Sequence, residues 1–425
     1  MQVYYHTFGC KVNSYETENI LQQMETKGHT TVTKISEADV CIINSCTVTH
    51  EADSKLIQLV HKIRRDNPKA IIVIAGCYSQ LSPTVMDLAD IAVGTSNKTK
   101  IAVLIDSYNC SKLDAVVPHF KDEPFESIFN RGNPRKTRAE IKIQDGCDRF
   151  CTYCTIPYAR GRARSKAIAD IESEAKQLVL DGHKELCLVG INLSCYGQDI
   201  GLTLADAVES VCNRSGAERV RLGSLEAELL TEDIIIRMAN CKSLCPHFHL
   251  SLQSGCDKTL KDMGRRYVKA EYFTIVKCLR KHFPDCAITT DIMVGFPGET
   301  EENFNESLEF VKNIGFADGH VFPYSPREGT VAAKRNDQIT PEIKAMRAKV
   351  MAEAVAESKK TYLQSMIGKT VSVLFEKEKD SAYHSGHSDN YLFVKVNRFT
   401  DALRYQIKDV LITGVEYGCC YGEIV

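Results

Sequence analysis

Short apolar runs alternate with longer stretches of helical period through most of this chain, and that alternation constrains the fold more than any other feature. The runs at residues 3–8, 40–43, 71–75 and 91–93 each precede a helical pattern, such as 16–27 or 52–65. Strands separated by helices pair in parallel, because each crossover returns the chain in the same direction and lays its helix on a sheet face. An open parallel α/β sheet is therefore expected over residues 1–118. Pro118, Pro124, Gly132 and Pro134, set among charges, mark 119–138 as a linker. A second series begins near Ile141, with strand candidates at 140–143, 185–189, 219–222, 248–252, 288–294 and 319–322. Six βα units predict a partial (β/α)6 barrel over 139–365, closed in part by another element and ending in a long helix from Pro341. From 366 to 425 the character changes. Runs at 370–375, 391–396, 404–412 and 415–417, broken by polar and glycine-bearing stretches, predict a small antiparallel β-barrel.

In 425 residues no apolar run approaches the roughly 18 needed to span a bilayer, so no membrane segment is expected. Residues 1–8 alternate like a strand and lack the basic and apolar regions of a secretory signal, which points to a cytoplasmic protein. With 53 basic and 55 acidic side chains the net charge is -2, so any nucleic-acid contact must come from local patches. The 18 cysteines are the informative excess. A chain this long needs no covalent staples, and in a reducing compartment such thiols point to metal or redox chemistry.

Cys147, Cys151 and Cys154 stand in GCDRFCTYC, directly after a strand. Three soft thiolates at that spacing suit one side of a cuboidal iron–sulfur cluster and leave one iron without a protein ligand. Zinc fits less well, since a structural site wants four ligands and neither a fourth Cys nor a His lies nearby. Packing as small buried hydrophobes is the bland alternative. A second triplet emerges from position: Cys10 in FGCKVN, Cys46 in NSCTV and Cys77 in AGCYSQ each follow a strand of the first series. Loops at the carboxyl ends of parallel strands form the ligand crevice, so these three are expected to converge on a second cluster. Cys41, Cys187 and Cys278 sit in apolar patterns and read as core, while the pairs Cys241 with Cys245 and Cys419 with Cys420 lack partners.

The CxxxCxxC loop after the first strand of a (β/α)6 series resembles the signature of radical SAM enzymes. Together with GCKVN, NSCTV, GCYSQ, DGCDRFCTYCTIPYARGRARS, LVGIN, SLQSGCDKTLKDMGRRY and MVGFPGET, it resembles the methylthiotransferases across essentially the whole chain, with a terminal segment similar to the TRAM domain. The FGCKVNSYE opening and IPYARGRARS continuation look most like the MtaB type. That type converts N6-threonylcarbamoyladenosine at tRNA position 37 to its 2-methylthio derivative. The resemblance implies two [4Fe–4S] clusters, on Cys10, Cys46 and Cys77 and on Cys147, Cys151 and Cys154. The second cluster would bind S-adenosylmethionine and cleave it reductively to a 5'-deoxyadenosyl radical, and the first would carry or supply the sulfur. It further implies the tRNA anticodon loop as partner and an electron donor such as flavodoxin or ferredoxin.

Strand ends nominate Gly190, Asn192, Ser224, Gln253, Ser254, Val294, Gly295 and Phe296 for S-adenosylmethionine, with Arg265 facing its carboxylate. Basic runs flanking the radical cluster, Arg131, Arg135, Lys136, Arg138 and Lys142 before it and Arg160, Arg162, Arg164 and Lys166 after it, nominate a phosphate-binding surface. The terminal segment, with seven Lys and Arg against eight Asp and Glu, would touch RNA through His384, His387, Asn390 and Tyr391. Two other readings stand beside the first. One is a methylthiotransferase acting on isopentenyladenosine-37 of tRNA or on a ribosomal protein aspartate. The other is a non-catalytic iron–sulfur protein that binds RNA or relays electrons.

Overall fold

A computed structural model describes residues 1–47, 50–119, 123–133, 136–377, 382–398 and 403–425. The first sheet is parallel throughout, and its six strands lie in the order Thr30–Thr31, Gln2–Thr7, Val40–Ser45, Ile71–Gly76, Ile91–Val93, Leu113–Ala115. Every residue of Val40–Ser45 is buried, as a central strand covered on both faces requires. One face packs Leu56, Val60 and Ile63 of helix His50–Asp66; the other packs Ile20 and Met24 of helix Lys11–Thr26. Strand order reverses between Gln2–Thr7 and Val40–Ser45. Such a reversal opens a crevice at the carboxyl ends, where doubly wound sheets bind their ligands.

The second series forms two parallel sheets. Arg138–Lys142, Glu185–Val189 and Arg219–Leu222 make one; Ser224–Leu225, His247–Leu250, Ala287–Val294 and Asp318–Pro323 make the other. They are stitched together where Val220 N–H donates to the Ser243 carbonyl and Cys245 N–H donates to that of Val220, both at 2.8 Å. Helices Ile168–Leu180, Leu204–Arg214, Glu232–Ala239, Lys269–His282 and Glu301–Ile314 cover the outside over one continuous apolar core. The first and last strands do not pair, so the barrel is open along one side. Helix Lys11–Thr26 packs against Arg138–Lys142 at that opening, and helix Pro341–Gln364 packs against Asp318–Pro323. Among the described residues no helix is long and apolar enough to cross a membrane.

Five strands near the C-terminal end close into a barrel in the order Thr370–Phe375, Tyr383–Ser388, Phe393–Asn397, Cys419–Ile424, Ile407–Glu416. Two expectations are corrected here. Tyr383–Ser388, sequence YHSGHS, is a strand despite its glycine and serines. The runs at 404–412 and 415–417 form one strand, Ile407–Glu416, with a register irregularity between Ile412 and Gly414. One barrel pair, Phe393–Asn397 with Cys419–Ile424, is parallel.

Candidate active site between the two cysteine triplets

The loop carrying Cys147, Cys151 and Cys154 is held from several sides. Gly146, at φ +73°, leads into it, and a Cβ there would lie 1.9 Å from the Arg162 carbonyl oxygen, so only glycine fits. Thr152 donates its N–H to the Met263 carbonyl at 2.9 Å and its hydroxyl to that of Asp262 at 2.8 Å, while Ala332 N–H donates to Thr152 at 2.9 Å. Tyr153 packs edge-on to Phe296, with ring centroids 6.3 Å apart. Asn192 Nδ2 lies 3.8 Å from Cys147 Sγ, and Arg265 reaches Cys151 Sγ at 3.6 Å while pairing with Glu226. Such N–H donors stabilise a thiolate that carries shared charge. In the free chain, burial pushes the Cys154 thiol up to about 12, so binding of a metal centre would drive its deprotonation.

The other triplet sits at the reversal of strand order. Cys10 follows Gln2–Thr7, Cys46 directly follows Val40–Ser45, and Cys77 directly follows Ile71–Gly76. Thr7 pairs with Asn44 and Ser45 with Gly76, so the three loops leave adjacent strands. Asn13 Nδ2 donates to the Phe8 and Ser45 carbonyls at 2.9 and 3.0 Å, and Ser45 Oγ donates to Ala75 at 2.6 Å, which ties the loops together. Gly9 lies so close to Cys46 that a Cβ would meet Cys46 Cβ at 2.7 Å. Cys46 and Cys77 are buried, whereas Cys10 is exposed.

Among the described residues, neither triplet brings its three sulfurs within 4.8 Å of one another. A single tetrahedral zinc, with Zn–S near 2.3 Å, needs thiolates about 3.8 Å apart. That disfavours a single ion bound by all three thiolates, whereas a polynuclear cluster, each of whose irons takes one thiolate, asks for wider separations. Glu232, Cys278 and His282 do approach within 4.8 Å, on the barrel's outer surface. Lys281 Nζ occupies the same Glu232 carboxylate at 3.3 Å, and that side chain is largely exposed, as suits a surface ion pair.

The nominated S-adenosylmethionine residues divide. Gly190 and Ser224 line the central cavity, and Asn192 and Arg265 touch the cysteine loop. Among the described residues Asn192 Oδ1 and Gln253 Oε1 are buried acceptors without a hydrogen-bond partner, which the amino and hydroxyl donors of S-adenosylmethionine suit. Gly295 turns at φ +68°, its N–H donating to Glu299 at 2.7 Å. Ser254, Val294 and Phe296 are fully buried. Ser254 Oγ accepts from Cys256 N–H at 3.3 Å, Val294 belongs to the barrel–helix core, and Phe296 packs on Tyr153 and Tyr324.

The nominated basic surface is corrected more deeply. Arg160 is 1% exposed and donates to Glu16 at 2.9 Å, Asp145 at 3.0 Å and Asn13 at 2.7 Å. Lys142 joins Glu16 and Asp145 at 2.8 and 2.6 Å, and Lys98 also pairs with Glu16. This network welds helix Lys11–Thr26 to the barrel, where Ile156–Arg160 packs against helix Cys77–Leu81. Lys166 is buried against Glu174, Arg164 holds Glu123 at 2.9 Å, and Lys136 holds Glu18 and Glu140. Arg138 bridges Glu185 and Glu376, 2.7 and 2.6 Å away. Arg135 lies outside the described residues. Arg131 stays exposed, and Arg162 is half-exposed, pairing with Asp148 over the Phe150 ring. Phe150 and Tyr158, exposed aromatics 5.7 Å apart that no motif marks, border an open cleft with Arg162. Their signal was aromatic exposure within a polar loop, which position in the chain does not reveal.

A cavity of about 620 Å³ joins all three parts of the chain: Gly9 to Val12, the barrel interior at Gly190, Ser224, His249 and His320, and the terminal barrel at His387 to Phe393. Of the terminal residues expected to touch RNA, His387, Asn390 and Tyr391 line this cavity and His384 does not. Tyr391 stacks between His247 and His387, each 4.7 Å away. His387 bonds Glu376 at 2.6 Å, Asn390 bonds Tyr362 at 3.1 Å, and His384 is buried.

Residues 2–93 match the uncharacterized protein family UPF0004, and residues 141–311 match the radical SAM superfamily. The threonylcarbamoyladenosine tRNA methylthiotransferase MtaB of Bacillus subtilis is 35% identical, covering 100% of this chain and 96% of that protein. The protein of the same name from Thermotoga maritima is 39% identical, over 91% and 89%. A tRNA-2-methylthio-N(6)-dimethylallyladenosine synthase of Acetivibrio thermocellus is 34% identical, over 87% and 80%. Among solved structures, the radical S-adenosylmethionine methyltransferase TsrM of Kitasatospora setae, with cobalamin and a [4Fe-4S] cluster bound, shares the fold. Its TM-score is 0.57 at 13% identity, over 76% of this chain and 73% of that one.

Proposed function

The chain belongs to the methylthiotransferase family of radical SAM enzymes, and from that premise we infer that it adds a methylthio group to C2 of N6-threonylcarbamoyladenosine at position 37 of tRNA. The observation that carries the reading is the single cavity onto which the Cys10 loop, the strand ends at Gly190 and Ser224, and the terminal barrel all open. An aromatic C–H is neither acidic nor a leaving group, so ordinary acid–base catalysis has little purchase on it. When bound, two [4Fe–4S] clusters and S-adenosylmethionine supply the reductive cleavage and the sulfur that this transfer needs.

The chain's own residues provide placement. Cys147, Cys151 and Cys154 would hold one cluster and Cys10, Cys46 and Cys77 the other. Asn192 and Arg265 orient the first through its sulfurs, and Gln253 and Asn192 offer their unpaired oxygens to S-adenosylmethionine. The walls of the barrel exclude water from the reacting carbon. Phe150, Tyr158 and Arg162 form the surface on which nucleotides of the anticodon loop stack, in place of the buried arginines. A one-electron donor of the flavodoxin or ferredoxin class in the cytoplasm completes the reading.

Nucleoside mass spectrometry of a strain lacking the gene tests it: the methylthio derivative of threonylcarbamoyladenosine should vanish and the unmodified precursor accumulate. Relatives of nearly equal identity carry the dimethylallyladenosine name, so loss of methylthio-isopentenyladenosine instead would transfer the assignment to that base. Reconstituted protein that releases no 5'-deoxyadenosine from S-adenosylmethionine under reductant would make it a non-catalytic cluster protein.

A further inference from the structure

The buried bases around the central cavity have counter-ions: Lys98, Lys142 and Arg160 on Glu16, Lys166 on Glu174, Arg221 and Arg138 on Glu185. Lys11 departs from that pattern. It opens helix Lys11–Thr26, one residue after Cys10, and among the described residues its ammonium has neither an ion pair nor a hydrogen bond. Its neighbour Val12 is 2% exposed and packs on Cys187 and Val189, which point into the barrel. Lys11 itself lines both the 620 Å³ cavity and an adjoining recess of about 230 Å³ formed with Arg138, Cys187, Arg221 and Tyr391. Lys11 thus borders both spaces, and its charge reaches buried Cys187 and His247.

We propose that Lys11 is the specificity-determining cation of this site, binding the carboxylate of the threonylcarbamoyl group on the substrate base. The proposal rests on the substrate reading above and names the residue that enforces it. A threonylcarbamoyl group ends in a carboxylate that is ionised at neutral pH, whereas an isopentenyl group has no charge. A carboxylate moved into a cavity without a cation loses its hydration uncompensated. The other Lys and Arg side chains lining these two spaces are taken: Lys359 by Asp318, Lys136 by Glu18 and Glu140, Arg138 and Arg221 by Glu185. Among the described residues Lys11 is the one of these left with its charge unpartnered, and it stands beside Cys10, one of the three cysteines that would hold the sulfur-supplying cluster.

The test uses anaerobically reconstituted full-length enzyme and three anticodon stem-loops. Position 37 carries threonylcarbamoyladenosine, its threoninamide analogue with the carboxylate capped, or isopentenyladenosine. Affinity and kcat/KM are measured for wild type, Lys11→Gln and Lys11→Arg, with iron and sulfide counted per chain. Removing one charged hydrogen bond costs about 10- to 100-fold. Lys11→Gln should lose that much on the acid and less than about 3-fold on the amide, erasing the wild-type preference, and Lys11→Arg should retain the preference. Equal losses on acid and amide, or no loss on the acid, overturn the assignment of Lys11. Should Lys11→Gln lose iron, Lys11→Arg decides: an acid-over-amide preference supports the proposal, and its absence overturns it. Wild type that modifies only the isopentenyl stem-loop overturns the substrate reading, a result distinguishable from the others because it appears without any substitution.

Discussion

Glu185→Gln should undock the terminal barrel from the radical SAM barrel. Glu185 is fully buried and accepts from Arg138 at 2.7 Å, Arg221 at 2.6 Å and Arg219 at 3.4 Å. The same arginines hold the terminal barrel: Arg219 donates to the His387 carbonyl at 3.3 Å and to Ser372, and Arg221 to those of Asp389 and Ser388 at 2.9 and 3.1 Å. Burial alone would raise the Glu185 carboxyl, but Arg221 and Arg138 pull it down to about 2. A depression of roughly two units corresponds to about 3 kcal/mol, within the ~3–5 kcal/mol typical of breaking a buried pair. Glutamine keeps the shape and removes the charge, leaving Arg138 with Glu376 and taking away the carboxylate that Arg219 and Arg221 share. Because the folded pKa is depressed, this stabilisation is complete above the unfolded carboxylate range and disappears as pH falls from about 5 towards 2. Urea denaturation followed by far-UV circular dichroism from pH 7 to 3 measures both effects, and hydrogen exchange in strand Tyr383–Ser388 locates the opening. The variant should be about 3 kcal/mol weaker at pH 7 and show a flatter acid limb. A loss under about 1 kcal/mol, with the wild-type acid limb intact, would refute the reasoning.

Gly146→Ala should prevent assembly of the Cys147 loop, because its Cβ would overlap the Arg162 carbonyl; iron content per chain checks it, and the wild-type value would contradict the steric argument. Arg160→Met should lower stability by ~3–5 kcal/mol yet leave the salt dependence of tRNA binding unchanged, since a buried guanidinium meets no phosphate. Replacing Phe150 and Tyr158 together by Ala should weaken stem-loop binding by about 1–3 kcal/mol per lost stacking contact, read by anisotropy, with iron content preserved. Cys46→Ala should abolish methylthiolation while reductive cleavage of S-adenosylmethionine persists, and Cys151→Ala should abolish both, as product analysis by mass spectrometry would show.

The parallel strands were legible because a strand covered on both faces reads as a near-continuous apolar run, and 40–43, 71–75 and 186–189 are such runs. The cysteine loops were legible for a related reason: glycines and cysteines at strand ends have no packing role that competes with ligation. The charged residues were misread, since Arg160 in a basic run looks the same whether it faces water or Glu16. Only the fold brings Glu16, 144 positions away, to meet it. Strand Tyr383–Ser388 was missed because its Gly386 is selected by closeness: a Cβ there would lie 2.2 Å from the Leu374 carbonyl oxygen. A local pattern cannot carry that requirement.

Helix Lys11–Thr26 connects these observations. Its buried residues include Asn13, Glu16, Thr17 and Asn19, a polar face that an isolated amphipathic helix would turn to water. Here that face binds the loops of Cys10 and Cys46 through Asn13 and the barrel through Glu16, while Tyr15 donates to Glu174 at 2.9 Å and to the Ile128 carbonyl at 2.6 Å. The segment expected as a linker is thereby clamped between this helix and Ile168–Leu180, with Asn130 N–H donating to Glu174 at 2.9 Å. Two cysteine triplets on separate domains can serve one carbon only if their separation is fixed to within fractions of an ångström. A salt-bridged helix supplies that rigidity better than an apolar one, because hydrophobic contact tolerates sliding whereas Arg160, held by three partners on both domains, admits one register.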